Sequence, residues 1–324
     1  MLRIGVMTPV DHIEGIPELI DSLGDRHDLP DDKLEARNVI LEKNLNVLIC
    51  NPNKQGFIID KEFLEDTGIV VINSCSTGLN HIDMDYCKKV DIEVQHHKND
   101  MKLLNQLPST AELAFSLLTN IVRKVSLAKE HILEGGWNYT GYMGHQIRGM
   151  NIGIVGYGRL GKMMYDFCDA FGANVKVYDP YLDISNIEHN KRDAFMLNHY
   201  SSDISKLFEW ATAISLHIHV TDETKELVNK DLLSLVKDLY LVNTSRGAVV
   251  NETDIGEALE NGNLAGYGTD VLVDEYTMDW SPIVDLMKNN YNVVVTPHVG
   301  GMTWEGQHKA YHWSISKLKD VHLW

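Results

Sequence analysis

One segment near the middle of this 324-residue chain constrains its fold more than any other. It reads Asn151-Ile-Gly-Ile-Val-Gly156-Tyr-Gly158-Arg-Leu-Gly161, a strand-like run followed by G-x-G-x-x-G and an amphipathic helical pattern. Gly156 permits a tight turn, Gly158 lets the backbone approach a pyrophosphate, and Gly161 lets the helix pack closely on the strand. The first amides of that helix and the positive end of its dipole favour an anion. We therefore predict a βαβ unit that binds a dinucleotide.

An acidic residue follows this loop at the spacing that a dinucleotide site requires. The next predicted strand, Asn174–Tyr178, ends at Asp179. A carboxylate there binds the ribose 2′-hydroxyl and repels a 2′-phosphate, so the pattern favours NAD over NADP. The alternative reading is a glycine turn that closes a purely structural βαβ unit.

Strand-like runs alternate with helical patterns along the whole chain. The candidate strands are rich in Val and Ile and lack strict alternation, which is typical of parallel strands buried on both faces. They are Leu2–Met7, Asn46–Cys50, Ile69–Asn73, Ile92–Gln95, Asn151–Val155, Asn174–Tyr178, Ala213–His217, Leu239–Asn243, Gly266–Asp270 and Asn292–Thr296. Repeated βα units predict doubly wound α/β sheets, and ten strands are too many for one comfortable sheet.

Two helical patterns indicate how the two predicted domains are connected. The segment Pro108–Gly135 is the longest helix candidate, with Ser109 and Glu112 spaced as a capping box. The pattern Thr303–Lys319 follows the last strand and could return to the first domain. We therefore predict a first domain over residues 1–107, completed by residues 299–324, and a dinucleotide-binding domain over residues 108–298.

Composition excludes several classes of partner. The chain has 29 Lys and Arg against 46 Asp and Glu, a formal net charge of −17, which argues against nucleic acid and anionic membranes. No run approaches the ~20 apolar residues of a membrane span, and the N-terminus lacks the pattern of a secretory signal. The four cysteines have no metal-site or disulfide spacing. We expect reduced thiols, no metal and a cytoplasmic location.

Further polar residues follow predicted strands, where ligands bind in open α/β sheets. They are Arg246, Asp270 with Glu275, and His298. An arginine can hold a carboxylate through two hydrogen bonds, a histidine can give a proton to a carbonyl oxygen, and a neighbouring carboxylate stabilises the imidazolium. Each residue alone has an ordinary structural reading. Together, beside a dinucleotide loop, they predict hydride transfer to a keto acid.

These segments together resemble the D-2-hydroxyacid dehydrogenase family, which includes D-lactate, glycerate and 3-phosphoglycerate dehydrogenases. The resemblance runs from about Ile69 to about Glu305. Its motifs are Gly153–Gly161, Val177–Tyr181, Ser215–His217, Asn243–Ala248, Thr269–Val271 with Glu275, and Thr296–Gly301.

The resemblance implies a Rossmann NAD-binding domain inserted into a flavodoxin-like substrate domain, and homodimers joined through the NAD-binding domain. It implies that Arg246, Glu275 and His298 are catalytic and that Asp270 lies near the nicotinamide carboxamide. The full set of implied cofactor contacts is Gly156, Gly158, Arg159, Leu160, Gly161, Asp179, Pro180, His217, Thr244, Ser245, Asp270 and Gly300. The implied reaction interconverts a 2-keto acid and a D-2-hydroxy acid.

The resemblance also implies a substrate loop at Ser74–Gly78, after the predicted strand Ile69–Asn73. Backbone amides of Ser76, Thr77 and Gly78 would bind the substrate carboxylate. Two neighbouring segments depart from the family: Cys50–Lys54 lacks an arginine that phosphoglycerate dehydrogenases often carry, and residues 95–107 are longer than usual. We therefore include Lys54 as a candidate substrate contact, and extend the hypothesis of a second bound anion to Lys98 and Lys102.

Two alternatives remain open on the sequence alone. The chain could be an NAD(H)-sensing binding protein of the C-terminal binding protein type, which shares this fold. It could also be a dehydrogenase of a larger or phosphorylated sugar acid, for which the longer 95–107 segment leaves room. A formate-dehydrogenase-like enzyme is disfavoured because position 275 is Glu rather than Gln.

Overall fold

The computed structural model describes residues 2–52, 56–182, 198–275 and 281–321. The chain forms two compact units, Met1–Leu107 with Gly301–Trp324, and Pro108–Gly300. The sequence predicts that the chain returns to the first unit at residue 299, whereas in the structure it returns at Gly301. Val299 and Gly300 still donate their amides to the Asp270 carboxylate, which ties them to the second unit.

Strands and helices alternate through both units. The strands are β1 (Leu2–Val6), β2 (Gly24–Asp28), β3 (Val47–Cys50), β4 (Val71–Ser74), β5 (Glu93–Gln95), β6 (Asn151–Val155), β7 (Asn174–Tyr178), β8 (Ala213–Leu216), β9 (Leu239–Asn243), β10 (Leu264–Thr269) and β11 (Val293–Val295). The α-helices are α1 (Ile16–Leu23), α2 (Lys33–Glu42), α3 (Lys61–Leu64), α4 (Met84–Lys89), α5 (Met101–Leu104), α6 (Ser109–Arg123), α7 (Val125–Leu133), α8 (Arg159–Ala170), α9 (Ile204–Trp210), α10 (Lys230–Leu233), α11 (Glu252–Glu260), α12 (Pro282–Lys288) and α13 (Trp304–Ser316). Short 3-10 helices cover Thr140–Tyr142, Gly247–Val249 and Lys317–Asp320. Within the described ranges, none of these helices combines the length and the apolar character that crossing a bilayer requires.

The first unit is a parallel sheet covered on both faces. Its strand order is β2-β1-β3-β4-β5, the flavodoxin-like order. Successive side chains of a strand point to opposite faces, so Val47 and Ile49 join the core that contains α1 and α13. Leu48 and Cys50 join the core that contains α2 and α3. This two-sided burial explains the continuous apolar run of β3.

The second unit is a parallel sheet with the order β11-β10-β9-β8-β6-β7. An isolated parallel bridge from Val177 to Tyr200 extends it beyond β7. The chain moves outward from β6 to β7 and then returns to β8 on the other side of β6. The direction of winding therefore reverses between β6 and β8, which is where doubly wound sheets bind their ligands. The predicted fold class, two doubly wound α/β domains, is confirmed.

The structure corrects the sequence prediction at an edge strand. All ten predicted strands are present within one or two residues, but β2 was not predicted. Its sequence, Gly-Asp-Arg-His-Asp, holds no apolar side chain. Among the described strands it pairs with β1 alone, and Arg26 forms ion pairs with Asp11 and Asp28 there. Charged residues are common on edge strands because they discourage pairing with another chain.

The predicted single helix over Pro108–Gly135 is also wrong. Lys124 adopts a left-handed backbone with a φ of 53° and separates α6 from α7. The predicted capping box is absent, because Pro108 is the N-cap and Ser109 is already helical. In contrast, the helix predicted over Thr303–Lys319 is present as α13, and its N-cap Thr303 accepts a hydrogen bond from the amide of Gly306.

Asn73 fastens α13 to the sheet of the first unit, and its removal tests that role. Its side chain is fully buried, donates to the carbonyl oxygen of Ser314 and accepts from the Ser314 hydroxyl. We expect Asn73→Ala to lower the free energy of unfolding by about 2–3 kcal/mol, because two buried polar groups lose their partner. Urea denaturation followed by circular dichroism measures it. The exposed Asn105→Ala is the matched control; equal transition midpoints for both variants would contradict the role.

Candidate active site

The glycine loop has the conformation that the sequence predicts. Gly156 follows β6 with a φ of 91°, and a Cβ there would lie 2.4 Å from the carbonyl oxygen of His217. A Cβ on Gly161 would lie 2.0 Å from the carbonyl oxygen of Gly156. Only glycine therefore fits at either position. A Cβ on Gly158, in contrast, would meet no atom within 4 Å, so the backbone there is open to a ligand.

Helix α8 begins directly after this loop. Gly158 is its N-cap, and Arg159, Leu160 and Gly161 form its first turn. The amides of a first helical turn have no partner within the helix, so they can bind a phosphate group. Burial lowers the pKa of Arg159, although the guanidinium remains charged at neutral pH.

Asp179 lies at the end of β7 and is held against the glycine loop. One carboxylate oxygen accepts the amide of Tyr157 at 2.8 Å, and the other accepts the amide of Tyr181 at 2.9 Å. Pro180 lies between Asp179 and Tyr181 in the chain. The predicted ribose-binding carboxylate is thus fixed beside the loop that would hold the pyrophosphate.

The loops that follow β8 and β9 are joined through Ser245. Its hydroxyl donates to the carbonyl oxygen of Leu216 at 2.7 Å and accepts the amide of Ile218 at 3.2 Å. Nearby, His217 Nε2 lies 2.9 Å from the Ser215 hydroxyl. Burial lowers the pKa of His217 to about 4, so its ring is neutral at physiological pH. Ser215 was missed as a partner because nothing in the sequence pairs it with His217.

Thr244 provides a test of whether these residues fit a dinucleotide. Its hydroxyl oxygen is buried and has no hydrogen-bond partner among the described residues. A buried hydroxyl without a partner is costly, and a bound polar ligand would remove that cost. Together with the open backbone at Gly158, this residue fits a dinucleotide with a phosphate at α8.

Arg246 begins the 3-10 turn after β9. Its Nη1 donates to the carbonyl oxygen of Ser245 at 2.7 Å. Asn243, buried at the end of β9, holds this turn by donating to the carbonyl oxygen of Arg246 and accepting the amide of Ser245. Asn243 was not singled out from the sequence, although it stands in a quoted motif. Gly247 is required next, because a Cβ there would lie 2.0 Å from the carbonyl carbon of Leu272.

His298 and Glu275 form a pair. The distance from His298 Nδ1 to Glu275 Oε2 is 2.8 Å, and about one third of each side chain is exposed (33% and 35%). His298 has a left-handed backbone with a φ of 53°. The carboxylate thus holds the ring through Nδ1.

Asp270 holds the backbone that carries His298. Its buried carboxylate accepts the Thr296 hydroxyl at 2.5 Å and the amides of Val299 at 2.8 Å and Gly300 at 2.7 Å. Burial raises the pKa of Asp270, and these hydrogen bonds partly offset that rise. Its predicted place near the nicotinamide carboxamide stays a prediction.

The second unit brings its predicted residues together at one edge of its sheet. Gly156 lies against the carbonyl of His217, and the Ser245 hydroxyl donates to the carbonyl oxygen of Leu216. The amide of Asp270 donates to the carbonyl oxygen of Asn243, and the amide of His298 donates to the carbonyl oxygen of Asp270. These contacts link the carboxyl ends of β6, β8, β9, β10 and the segment after β11. Among the described residues, no group of three or more His, Cys, Asp or Glu side chains could hold a metal ion.

The predicted substrate loop lies in the first unit, after β4. The Ser76 hydroxyl donates to the carbonyl oxygen of Gly78 at 2.7 Å, and Thr77 between them is exposed. Below the loop, Ser74 Oγ lies 3.1 Å from Ser76 Oγ and 3.3 Å from Nε2 of the buried His81. Burial lowers the pKa of His81 to about 4, so it supports the loop as a neutral ring.

The lysines proposed for a second anion differ in position. Lys54 lies outside the described residues. Lys98 is exposed, and Lys102 Nζ stands 5.7 Å from the ring centre of Trp313. The longer 95–107 segment is fixed to the C-terminal helix, because Asp100 accepts hydrogen bonds from Trp313 Nε1 and from Lys317 Nζ.

Comparison with known proteins gives a family match to the second unit. The family model for the NAD binding domain of D-isomer specific 2-hydroxyacid dehydrogenases matches residues 115–300. Glyoxylate reductase of Thermococcus litoralis is 31% identical over 288 residues, which cover 86% of this chain and 81% of that protein. D-3-phosphoglycerate dehydrogenase of Bacillus subtilis is 31% identical over 246 residues, 76% of this chain. The chain matches only 44% of the length of that relative.

Solved structures give the same fold. The crystal structure of D-lactate dehydrogenase from Aquifex aeolicus, complexed with NAD and lactic acid, has a TM-score of 0.74 to this chain at 22% identity. The alignment covers 98% of this chain and 94% of that one. At this identity the likeness establishes the fold, and the residue roles depend on the geometry above.

Proposed function

The chain belongs to the D-isomer specific 2-hydroxyacid dehydrogenase family, and from that membership we propose that it interconverts a 2-keto acid and a D-2-hydroxy acid with NAD as cofactor. The observation that carries the proposal is the 2.8 Å contact between His298 Nδ1 and Glu275 Oε2. A histidine oriented by a carboxylate through one ring nitrogen is an acid–base group that can act through the other. The relatives' names, reductase and dehydrogenase, favour an enzyme over the NAD(H)-sensing alternative.

The proposed division of labour follows from the residue chemistry. Gly156, Gly158 and the first turn of α8 hold the pyrophosphate, Asp179 binds the adenosine ribose, and Thr244 Oγ1 gains its missing partner. When bound, NAD(H) supplies or accepts the hydride. His298 exchanges the proton at the substrate oxygen, and Glu275 stabilises the protonated ring. In this proposal the protein's own side chains transfer the proton and stabilise the charge that this transfer creates.

Arg246 is proposed to bind the substrate carboxylate. A guanidinium forms two parallel hydrogen bonds to a carboxylate, which fixes the orientation of a keto acid as well as its charge. One donor of Arg246, Nη1, holds the carbonyl oxygen of Ser245, and this contact sets the direction of the side chain. The amides of Ser76, Thr77 and Gly78 stay our prediction for additional carboxylate contacts.

A substrate screen tests the activity. NADH oxidation would be followed with glyoxylate, pyruvate, hydroxypyruvate, branched, aromatic and phosphorylated keto acids. Turnover of any of them supports the enzyme, and the rank order identifies the side chain that the site accepts. NADH binding without turnover across this set would favour the sensing alternative.

Replacing His298 tests the acid–base role. We expect His298→Ala to lower kcat by roughly 10²–10⁴-fold, the usual contribution of an acid–base group, while NADH still binds. Turnover and NADH fluorescence titration measure the two properties separately. His312→Ala, an exposed histidine on α13, is the matched control. A His298→Ala variant with wild-type turnover would remove the proposal.

Replacing Glu275 tests the pairing. A glutamine can still accept the hydrogen bond from His298 Nδ1, so Glu275→Gln removes the charge while the ring orientation is kept. We expect the alkaline limit of the reductive pH–rate profile to move to lower pH, because the imidazolium loses its counter-charge. Glu260→Gln, exposed at the end of α11, makes the same charge change elsewhere in the unit. Identical profiles for Glu275→Gln and wild type would refute the pairing.

We also propose that the chain forms a homodimer through its NAD-binding unit. None of the residues of α7 is buried, and large apolar side chains there and in the following segment are exposed. They are Val125, Ile132, Leu133, Trp137, Tyr139 and Met143, with exposed fractions of 50–90%. Clusters of this kind mark interaction surfaces. A second copy of the chain is the occupant that the family resemblance implies.

Replacing Trp137 tests this surface. Truncating a buried interface tryptophan costs about 2 kcal/mol or more, so we expect Trp137→Asp to weaken self-association by about 30-fold or more. Light scattering over a dilution series measures the mass. Trp304→Asp, an exposed tryptophan of the first unit, is the control. A monomeric wild type, or an unchanged dimer in the variant, would contradict the proposal.

We propose a cytoplasmic location on the basis of the thiols. All four cysteines are buried and unpaired. Burial raises the pKa of Cys75 and Cys168 to about 12, so these thiols are protonated and unreactive. Unpaired structural cysteines are typical of reducing compartments.

A further inference from the structure

A hydrogen bond connects the loops on either side of the glycine turn. The Tyr181 hydroxyl, after β7, donates to Oε2 of Glu223, in the loop after β8, at 2.6 Å. In the sheet, β6 lies between β7 and β8. This tyrosine therefore bridges the two sides of the point where the winding reverses and where the glycine loop begins.

The same tyrosine contacts both acidic residues at this place. Its amide donates to Asp179 at 2.9 Å, while its hydroxyl donates to Glu223. The hydrogen bond and the charge of Glu223 raise the pKa of Tyr181, and the charge of Asp179 adds to that effect. Burial raises the pKa of Tyr178, and the charges of Asp179 and Glu223 raise it further. The two carboxylates thus act on one small region at the end of β7.

Glu223 is carried by an ordered turn. The Thr224 hydroxyl donates to the carbonyl oxygen of His219 at 2.6 Å and accepts the amide of Thr221 at 2.7 Å. This turn therefore holds the backbone around Glu223, and the Tyr181 hydroxyl holds its carboxylate. In the described part of the chain, neither Glu223 nor Asp179 forms an ion pair with a lysine or arginine.

We propose that Glu223 is a second determinant of cofactor selection, held by Tyr181 so that two carboxylates instead of one oppose a 2′-phosphate on the adenosine ribose. The inference rests on the proposed function, because it assigns the adenosine end of the cofactor to Asp179. A phosphate monoester carries a charge of about −1.5 to −2 near neutral pH. Each carboxylate within several ångströms therefore disfavours NADP(H) while leaving NAD(H), which has only a hydroxyl there, almost unaffected.

Binding measurements on charge-neutral variants test this inference without relying on turnover. Dissociation constants of NADH and NADPH would be measured by calorimetry for wild type, Glu223→Gln, Tyr181→Phe and Asp222→Asn. Asp222 is the matched control, since it is the exposed neighbour of Glu223 on the same turn and the substitution makes the same charge change.

We expect Glu223→Gln to strengthen NADPH binding by about five- to tenfold and to change NADH binding by less than about twofold. Tyr181→Phe leaves the charge but releases Glu223, so it should strengthen NADPH binding by about two- to threefold. Asp222→Asn should change the ratio of the two constants by less than about twofold. Raising the salt concentration should reduce the discrimination of the wild type more than that of Glu223→Gln, because salt screens exposed charges.

Two results would overturn the inference. One is an NADPH-to-NADH ratio in Glu223→Gln that equals that of Asp222→Asn. The other is an equal loss of both cofactors, which would place Glu223 at a part common to the two. A wild-type protein that binds neither cofactor would instead contradict the proposed function itself, so the two failures are distinguishable.

Discussion

A buried carboxylate at the end of β10 holds the candidate active site together. Asp270 is only 2% exposed, and an unpaired carboxylate at such a place would cost several kcal/mol. The Thr296 hydroxyl and the amides of Val299 and Gly300 offset that cost. The carbonyl oxygen of Asp270 also accepts the amide of His298, whose left-handed backbone costs about 1–2 kcal/mol. Asp270 therefore fixes the backbone of residues 298–300, from which the His298 imidazole reaches Glu275.

The fold could be predicted where burial alone decides the structure. Strand β3 is apolar throughout, and β9 is apolar up to its last residue, Asn243, because each face of the sheet is covered, and such runs are visible in a sequence. Strand β2 could not be predicted, since its backbone pairing with β1 leaves no mark on its polar side chains. The break between α6 and α7 was hidden for a related reason. It is stabilised by hydrogen bonds between the side chain of Asn120 and Ser126, while the apolar spacing continues across it.

In the candidate site, too, some residues could be predicted from the sequence and others could not. The glycine loop, Asp179, Arg246 and His298 could be proposed because spacing along the chain and position after a strand are properties of the sequence. Their supports could not, because spacing does not show which side chains form hydrogen bonds, even over two or three residues: Ser215 beside His217, and Asn243 beneath Arg246. The longer 95–107 segment is a third example. Its Asp100 bonds to Trp313 and Lys317, more than two hundred residues further along the chain.

The neighbouring hydroxyls of Thr244 and Ser245 show how hydrogen bonding distinguishes a residue that supports the site from one that can contact a ligand. Thr244 and Ser245 both carry a hydroxyl after β9, and the sequence gives no reason to distinguish them. The Ser245 hydroxyl already has two protein partners, Leu216 and Ile218, so it joins two loops and has little capacity for a cofactor. The Thr244 hydroxyl is equally buried and has no partner in the described part of the chain. Since buried polar groups are almost always paired in the working state of a protein, Thr244 is the residue of the two to which we assign the cofactor contact.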